Sequence, residues 1–413
     1  MSNRTVIVGG GVIGTACAYY LADAGHEVTI LDQGRHGGGC SHANCGYVSP
    51  SHVPPLAKPG VVGQTLRSML SSDSPFYIKP RLSPSLMKWL LRFLANCTQK
   101  QMEQGAIARH ALLSTSRQLY EDLIEREQLA CEFEKRGLMF VYLDHHHFDA
   151  FQSTNEWLTR EFGVTAVPYA QGDLQALEPA LKPEVAGAWH YTGDAHLRPD
   201  RLMSSWRQVI ERMGVKIIEN QQVTQFRGEG GKLRSVSTKD NQYEADQFII
   251  ATGAWTPMLN QQLGVNIPIQ PGKGYSITMP RPENCPKIPM LLEQHRVGVT
   301  PFGSGYRLGS TMEFAGYDTS INNKRLQLLK RGAEVYLHTP HAQPEQEQWY
   351  GWRPMTPDGV ALIDYLPRYG NTLLCAGHNM LGLSMAPGTG LLVRQILCRE
   401  QPHIDPARYR LRR

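Results

Sequence analysis

The residues best suited to chemistry stand at the start of the chain. Gly9, Gly11 and Gly14 are spaced G-x-G-x-x-G, and Asp32 lies 21 residues beyond Gly11. Gly9 permits a tight turn, Gly11 lets backbone approach a pyrophosphate, and Gly14 lets a helix lie close on a sheet. Val12 and Ile13 then open a helix whose free N–H groups and positive dipole end face that pyrophosphate. The Asp32 carboxylate is placed to accept from ribose hydroxyls and would repel a 2′-phosphate, which argues against NADP. Gln33, next to it, joins the expected cofactor set. The ligand implied is a dinucleotide. Glycines and acid alone leave FAD and NAD both open, although a motif starting this near the N-terminus is typical of FAD proteins.

Elements must hold these residues in place. Val6-Ile7-Val8 suits a buried parallel strand. Val12 to Ala24 reads as an amphipathic helix closed by Gly25, and Glu27 to Leu31 as a second strand ending on Asp32. Val223 to Thr252 reads as further strands, the last being Phe248-Ile249-Ile250 running into Ala251-Thr252-Gly253. That ending looks like the strand flavoproteins lay against FAD; Val223 is added to the same set. Near the C-terminus, Gly377-His378 leads through Gly382-Leu383-Ser384 into an apolar helix to Cys398. A turn feeding a helix N-terminus supplies N–H donors, which suit the flavin C2 carbonyl, where negative charge gathers on reduction. Helices are also expected over 85–94, 99–128, 145–163, 199–213 and 322–337. A hairpin is expected over 131–143, turning near Arg136-Gly137.

Composition narrows the class. A chain of 413 residues is too long for one ordinary core, so two domains are expected. The formal charge of +5 is too slight to call for nucleic acid. Arg408, Arg410, Arg412 and Arg413 crowd the end, a solvated tail with at most a weak anionic contact. Eight cysteines show no CxxC spacing and fit free thiols in a reducing cytoplasm. His145-His146-His147 lacks metal-ligand company and reads as an exposed helix start; no metal is expected. Ser85 to Leu94, with Lys88 and Arg92, is apolar on more than one face. It reads as packed on a core, with an interfacial membrane helix as the alternative. No signal peptide precedes the first strand, and no apolar run approaches the ~20 residues that span a bilayer. The expected location is the cytoplasm, with peripheral contact at the cytoplasmic membrane face allowed.

Five segments in order resemble the D-amino acid oxidase/dehydrogenase superfamily of FAD proteins, most closely its bacterial D-amino acid dehydrogenase small-subunit type. They are the glycine motif; Cys40-Ser41-His-Ala-Asn44-Cys-Gly46-Tyr-Val-Ser-Pro; Lys273-Gly-Tyr275-Ser; Gly351-Trp-Arg353-Pro-Met-Thr-Pro-Asp-Gly359; and Gly377-His378-x-x-x-Gly382. The resemblance implies an α/β (α+β overall) architecture: a discontinuous Rossmann-like FAD domain at 1–80, 195–263 and 346–413, and a mixed-sheet substrate domain at 81–194 and 264–345. It implies that Cys40, Ser41, Asn44 and Gly46 pass the flavin and that Arg353 grips a substrate carboxylate, a pairing guanidinium geometry suits. Tyr275 and Lys273 would help orient the substrate, and His378 would act as base or orient the flavin.

The implied reaction is oxidation of an amino acid, D-configured or a cyclic imino acid such as a proline derivative. Hydride would pass from Cα to flavin N5, and electrons on to a quinone or other acceptor. The alternatives are a glycine- or sarcosine-type oxidase making peroxide, and a flavin-holding relay subunit of a larger complex. Where sarcosine oxidases attach flavin through cysteine this chain has Gly351, so the flavin is expected to be noncovalent, with a histidyl link through His42 as the exception. Where they place a lysine near N5 it has Arg307, which tilts the expectation toward a dehydrogenase. Oligomeric state is left open.

Overall fold

The computed structural model describes residues 3–60 and 74–411. Two large sheets organise them. The first has six strands in the order Leu362–Leu366, Tyr369–Ala376, Gln247–Ile250, Arg4–Val8, Glu27–Leu31 and Lys216–Ile218. Every pairing in it is parallel except that of Leu362–Leu366 with Tyr369–Ala376. Ile7, Ile30, Ile249 and Leu373 are fully buried in it, as strands covered on both faces require. A three-stranded antiparallel flap, Gln225–Glu229, Lys232–Ser237 and Gln242–Glu244, lies apart from that order.

The helix Val12–Asp23 follows the first strand, and Gly382–Cys398 follows Tyr369–Ala376. The two pack closely: a Cβ at Gly390 would lie 2.6 Å from the Ala16 carbonyl oxygen. On its other side Gly382–Cys398 meets the long helix Gln99–Glu127, where Ser116 Oγ accepts from the Gly388 N–H at 2.9 Å. Small residues thus bring three helices together over the nucleotide sheet.

The second sheet has nine strands. Its main path runs Glu347–Met355, Gln270–Met279, Gly305–Phe314, Val297–Phe302, Met290–Leu292, Leu138–Tyr142, Gly187–Tyr191 and Val167–Ala170, and Phe76–Ile78 pairs with Gly305–Phe314. Strand Glu347–Met355 belongs to this sheet although it lies inside the segment 346–413. The helix Asn323–Glu334 covers one face, with Leu326 and Leu329 buried against Tyr275 and Ile277. The expected hairpin at 131–143 is not formed. Leu138–Tyr142 pairs instead with Gly187–Tyr191 and Met290–Leu292, and Glu134 bridges to His196. Gly137 sits at the predicted turn with φ +75°, but the chain arrives there without a preceding strand to pair.

The three histidines at 145–147 open the helix His145–Phe162, whose N-cap Asp144 accepts from the His147 N–H at 2.9 Å. All eight cysteines are free thiols. Arg412 and Arg413 lie outside the described residues. Among the described residues, no helix is long and apolar enough to cross a membrane.

Candidate active site

The glycine turn has the form its spacing predicts. Gly9 has φ +110°, and a Cβ there would lie 2.4 Å from the Ala251 carbonyl oxygen; one at Gly14 would lie 1.9 Å from the Gly9 carbonyl oxygen. No side chain larger than hydrogen fits either place. Ala251 and Thr252 close on the turn from the end of the neighbouring strand, Gly253 follows with φ +53°, and Thr252 Oγ1 lies 3.0 Å from Thr256 Oγ1. Ser41 Oγ accepts from the Val12 N–H at 2.9 Å, which ties the second loop to the start of the first helix.

Asp32 accepts from Gly10 N–H at 2.7 Å and from Gly34 N–H at 2.8 Å. Burial raises its pKa, against the pull of those two donors. A carboxylate has about four acceptor positions, so two remain for ribose hydroxyls. Gln33 follows in the bend after the strand, and Val223 is buried in the core beneath Phe226 and Leu31.

Sequence reasoning missed His36 and Glu219. His36 lies against Gly10, shares a 2.8 Å hydrogen bond with Thr15, and donates its backbone N–H to Glu219. Burial holds its pKa at about 4, so it is neutral at ordinary pH. A second acid directly after Lys216–Ile218, the strand beside Glu27–Leu31, was the available signal.

The loop from Cys40 to Gly46 is gripped from the larger sheet. Ser276 Oγ donates to the Ala43 carbonyl at 2.7 Å, Thr300 Oγ1 to Cys45 at 2.7 Å, and Arg307 to Asn44 at 2.8 Å. Inside the loop, Asn44 Oδ1 accepts from Gly46 N–H at 2.9 Å. Burial pushes the Cys40 and Cys45 thiols up, so both stay protonated. The guanidinium of Arg307 donates to Thr278 Oγ1 at 2.9 Å and stacks on Phe302, while its buried Nη2 lies 3.6 Å from Asp200 and has no hydrogen-bond partner among the described residues. Nearby, His42 Nε2 meets Glu347 Oε1 at 2.7 Å, which raises the His42 pKa and lowers that of Glu347.

Arg353 lies on the same face of the sheet as Ser276 and Arg307. It pairs with Gly272, and its side chain crosses Gly274, where a Cβ would fall 2.2 Å from Nη1. It reaches the next strand, donating to the Thr311 carbonyl at 2.7 Å and toward Ser310 at 3.5 Å. A register shift opposite Lys273 and Tyr275, with φ +100° at Ser310 and +46° at Thr311, turns those carbonyls out of the ladder. A β-branched residue at positive φ is uncommon and strained, and such strain collects at functional sites. Among the described residues no carboxylate lies within ion-pairing distance of Arg353, and burial lowers its pKa. A half-buried cation held only by carbonyls is one charge short of balance.

Strand alternation separates the other candidates from Arg353. Lys273 and Tyr275 face the opposite side, toward the helix Asn323–Glu334. Lys273 Nζ donates to the Ser320 carbonyl and sits 4.6 Å from the Tyr350 ring centre, and Tyr275 OH donates to Glu313 at 2.7 Å. His378 is fully buried with its pKa pulled down to about 3. Its Nε2 lies 3.1 Å from Thr389 Oγ1, and its buried Nδ1 has no partner among the described residues. At Gly382–Cys398 no side chain caps the helix start, whereas at Val12–Asp23 the N-cap Gly11 has none to offer and Ser41 Oγ takes the Val12 N–H. The Leu383 carbonyl accepts from Tyr120 at 2.8 Å, and Ser384 Oγ donates to the Tyr47 carbonyl at 2.7 Å.

A helix start at Gly382 that no side chain caps, a glycine cradle that any Cβ would fill, an acid with free lone pairs and the orphaned Nδ1 fit FAD. Residues 4–396 match the family model described as FAD dependent oxidoreductase, DAO.

The chain belongs to this family of FAD-dependent oxidoreductases.

Curated relatives agree. The chain is 33% identical to a D-amino acid dehydrogenase of Granulibacter bethesdensis, covering 98% of each protein, and 33% identical to one of Methylobacterium nodulans, covering 97% of this chain and 96% of that one. Among solved structures, glycine oxidase from Geobacillus kaustophilus superposes with a TM-score of 0.77 at 22% identity, covering 100% of this chain and 99% of that one. L-proline dehydrogenase from P. horikoshii does so with 0.74 at 18%, covering 99% and 97%. At these identities the structures speak for the fold. The α/β reading and the family resemblance drawn from the five motifs hold along the chain.

Proposed function

We propose that this protein is a D-amino acid dehydrogenase-like enzyme, in which Arg353 holds the carboxylate of an α-amino acid, D-configured or a cyclic imino acid. The observation that carries the reading is the unbalanced Arg353 guanidinium, laid flat across Gly274 and turned toward the Cys40–Gly46 loop. Bound flavin supplies the hydride acceptor for the substrate Cα–H. The protein's share is positioning. Arg353 fixes the carboxylate end, Ser276, Thr300 and Arg307 hold the loop beside the flavin, and neutral His378, its buried Nδ1 unpaired by the described residues, would orient the cofactor rather than serve as a base. Lys273 and Tyr275 then support the sheet from behind.

The division at 1–80, 195–263 and 346–413 for FAD and 81–194 and 264–345 for substrate is part of this proposal, with Glu347–Met355 lent to the larger sheet. So are noncovalent attachment, a cytoplasmic setting and electron transfer to a quinone or other acceptor. Gly351 offers no nucleophile, and His42 is engaged by Glu347.

Anaerobic bleaching of the visible flavin absorbance with D-, L- and N-methyl amino acids and prolines tests the substrate class. One class should bleach, with slow recovery in air and fast recovery with a quinone analogue. A yellow protein that none of them bleaches would sink the proposal.

A further inference from the structure

The helix Pro84–Asn96 has two apolar faces, and among the described residues only one is packed. Leu86 and Trp89 are buried against Met312, Phe314 and Met355, and Trp89 donates to the Met355 carbonyl at 2.9 Å. The outer face carries Met87 and Leu91, 60% and 61% exposed, four residues apart and therefore side by side. Leu82, just before the N-cap, is fully exposed at 104%. Solvent-facing apolar side chains gathered on one helix need a covering partner more than scattered ones do.

Charge says which partner. From Lys79 to Met102 the sequence has no Asp or Glu, against Lys79, Arg81, Lys88, Arg92 and Lys100. Lys79 is matched by Asp318 at 3.4 Å. Arg81, Lys88 and Arg92 line a cleft of about 350 Å³ beside the helix, and among the described residues no carboxylate joins that lining. Lys88 and Arg92 lie beside Met87 and Leu91 on the exposed face. Apolar residues flanked by cations on a helix lying flat on the protein match an anionic lipid surface: the hydrocarbon boundary takes the leucines and methionine, and the phosphates take the bases.

We infer that Pro84–Asn96, with Leu82, docks this protein onto an anionic bilayer. The docking deepens the acceptor reading by naming the face a membrane-dissolved acceptor would approach. Its measurement needs no turnover, so its failure and the failure of the amino acid reading are separate results.

Flotation of the full FAD-loaded chain with phosphatidylglycerol/phosphatidylcholine vesicles, and with phosphatidylcholine vesicles alone, is the test. Binding to the anionic vesicles, weakened by high salt, is expected. Lys88→Glu/Arg92→Glu should weaken it by about fivefold or more per charge, and Leu82→Gln/Met87→Gln/Leu91→Gln by at least about tenfold. These side chains are exposed, so both variants should keep the yellow colour and thermal midpoint of the parent. No flotation at any salt, or flotation unchanged by both variants, would overturn the inference. So would sedimentation showing a dimer that the apolar substitutions dissolve, because a second copy would then cover the face.

Discussion

On the proposed function, Arg353 is the residue that holds the substrate carboxylate. Replacing it with alanine removes a charge-assisted contact to a buried carboxylate, a loss of about 2–4 kcal/mol. In kcat/KM that is roughly 30- to 1,000-fold, with the flavin spectrum unchanged. Arg353→Lys should recover only part of it, since a point charge cannot keep two parallel donors over Gly274. Steady-state kinetics on a substrate found by bleaching checks both. A second residue sets a pH dependence. Asp194 is buried, accepts from Ser51 Oγ at 2.5 Å and Ser51 N–H at 3.1 Å, and burial raises its pKa from 3.8 to about 7. Below 3.8 the group is neutral whether the chain is folded or not, and its contribution is complete. Between 3.8 and about 7 the unfolded chain releases a proton that the native one keeps, so stability falls as pH rises. The loss is on the order of a few kcal/mol. Asp194→Asn should flatten that fall in a series of thermal midpoints from pH 4 to 8.

Helices and strands were legible where one local signal decided them. The run Val6 to Asp32 carried strand, turn, helix and strand in order, and the structure repeats them at Arg4–Val8, Val12–Asp23 and Glu27–Leu31. Residues 131–143 were not legible, because Leu138–Tyr142 finds its neighbours at Gly187–Tyr191 and Met290–Leu292, far along the chain. The site divides the same way. A motif names Arg353, but the bulge at Ser310 and Thr311 that receives its guanidinium is a register effect between strands, and no spacing within one strand announces it. The side of the sheet taken by Lys273 and Tyr275 follows from alternation, once it is known that Ser276 faces the Cys40–Gly46 loop. At this scale close packing makes the prediction. Gly14→Ala would drive a methyl into the Gly9 carbonyl, and Gly390→Ala into that of Ala16. Backbone cannot step aside as a side chain does, so each should cost about 3 kcal/mol or more. Gly14→Ala should also lose flavin, read as the absorbance ratio of the purified protein; Gly390→Ala should lower the thermal midpoint with less effect on that ratio.

For the molecule as a whole, noncovalent flavin is the proposed state. With glycine at 351 and the Cys40 and Cys45 thiols held protonated by burial, acid precipitation should release all the yellow colour into the supernatant. A coloured pellet would mean a covalent bond. The route of the chain has a wider consequence. From Arg4–Val8 to Phe76–Ile78, back to Lys216–Ile218 and Gln247–Ile250, out to Gln270–Met279 and home to Tyr369–Ala376, the polypeptide shuttles between the two sheets. Neither sheet can be cut free as one uninterrupted fragment. A protease nick in an exposed connection, such as the Gly230-Gly231 turn, should therefore leave two pieces that elute together from a sizing column and part only in denaturant. Gene fragments split at the same point should complement one another when co-expressed, while neither yields a folded product alone.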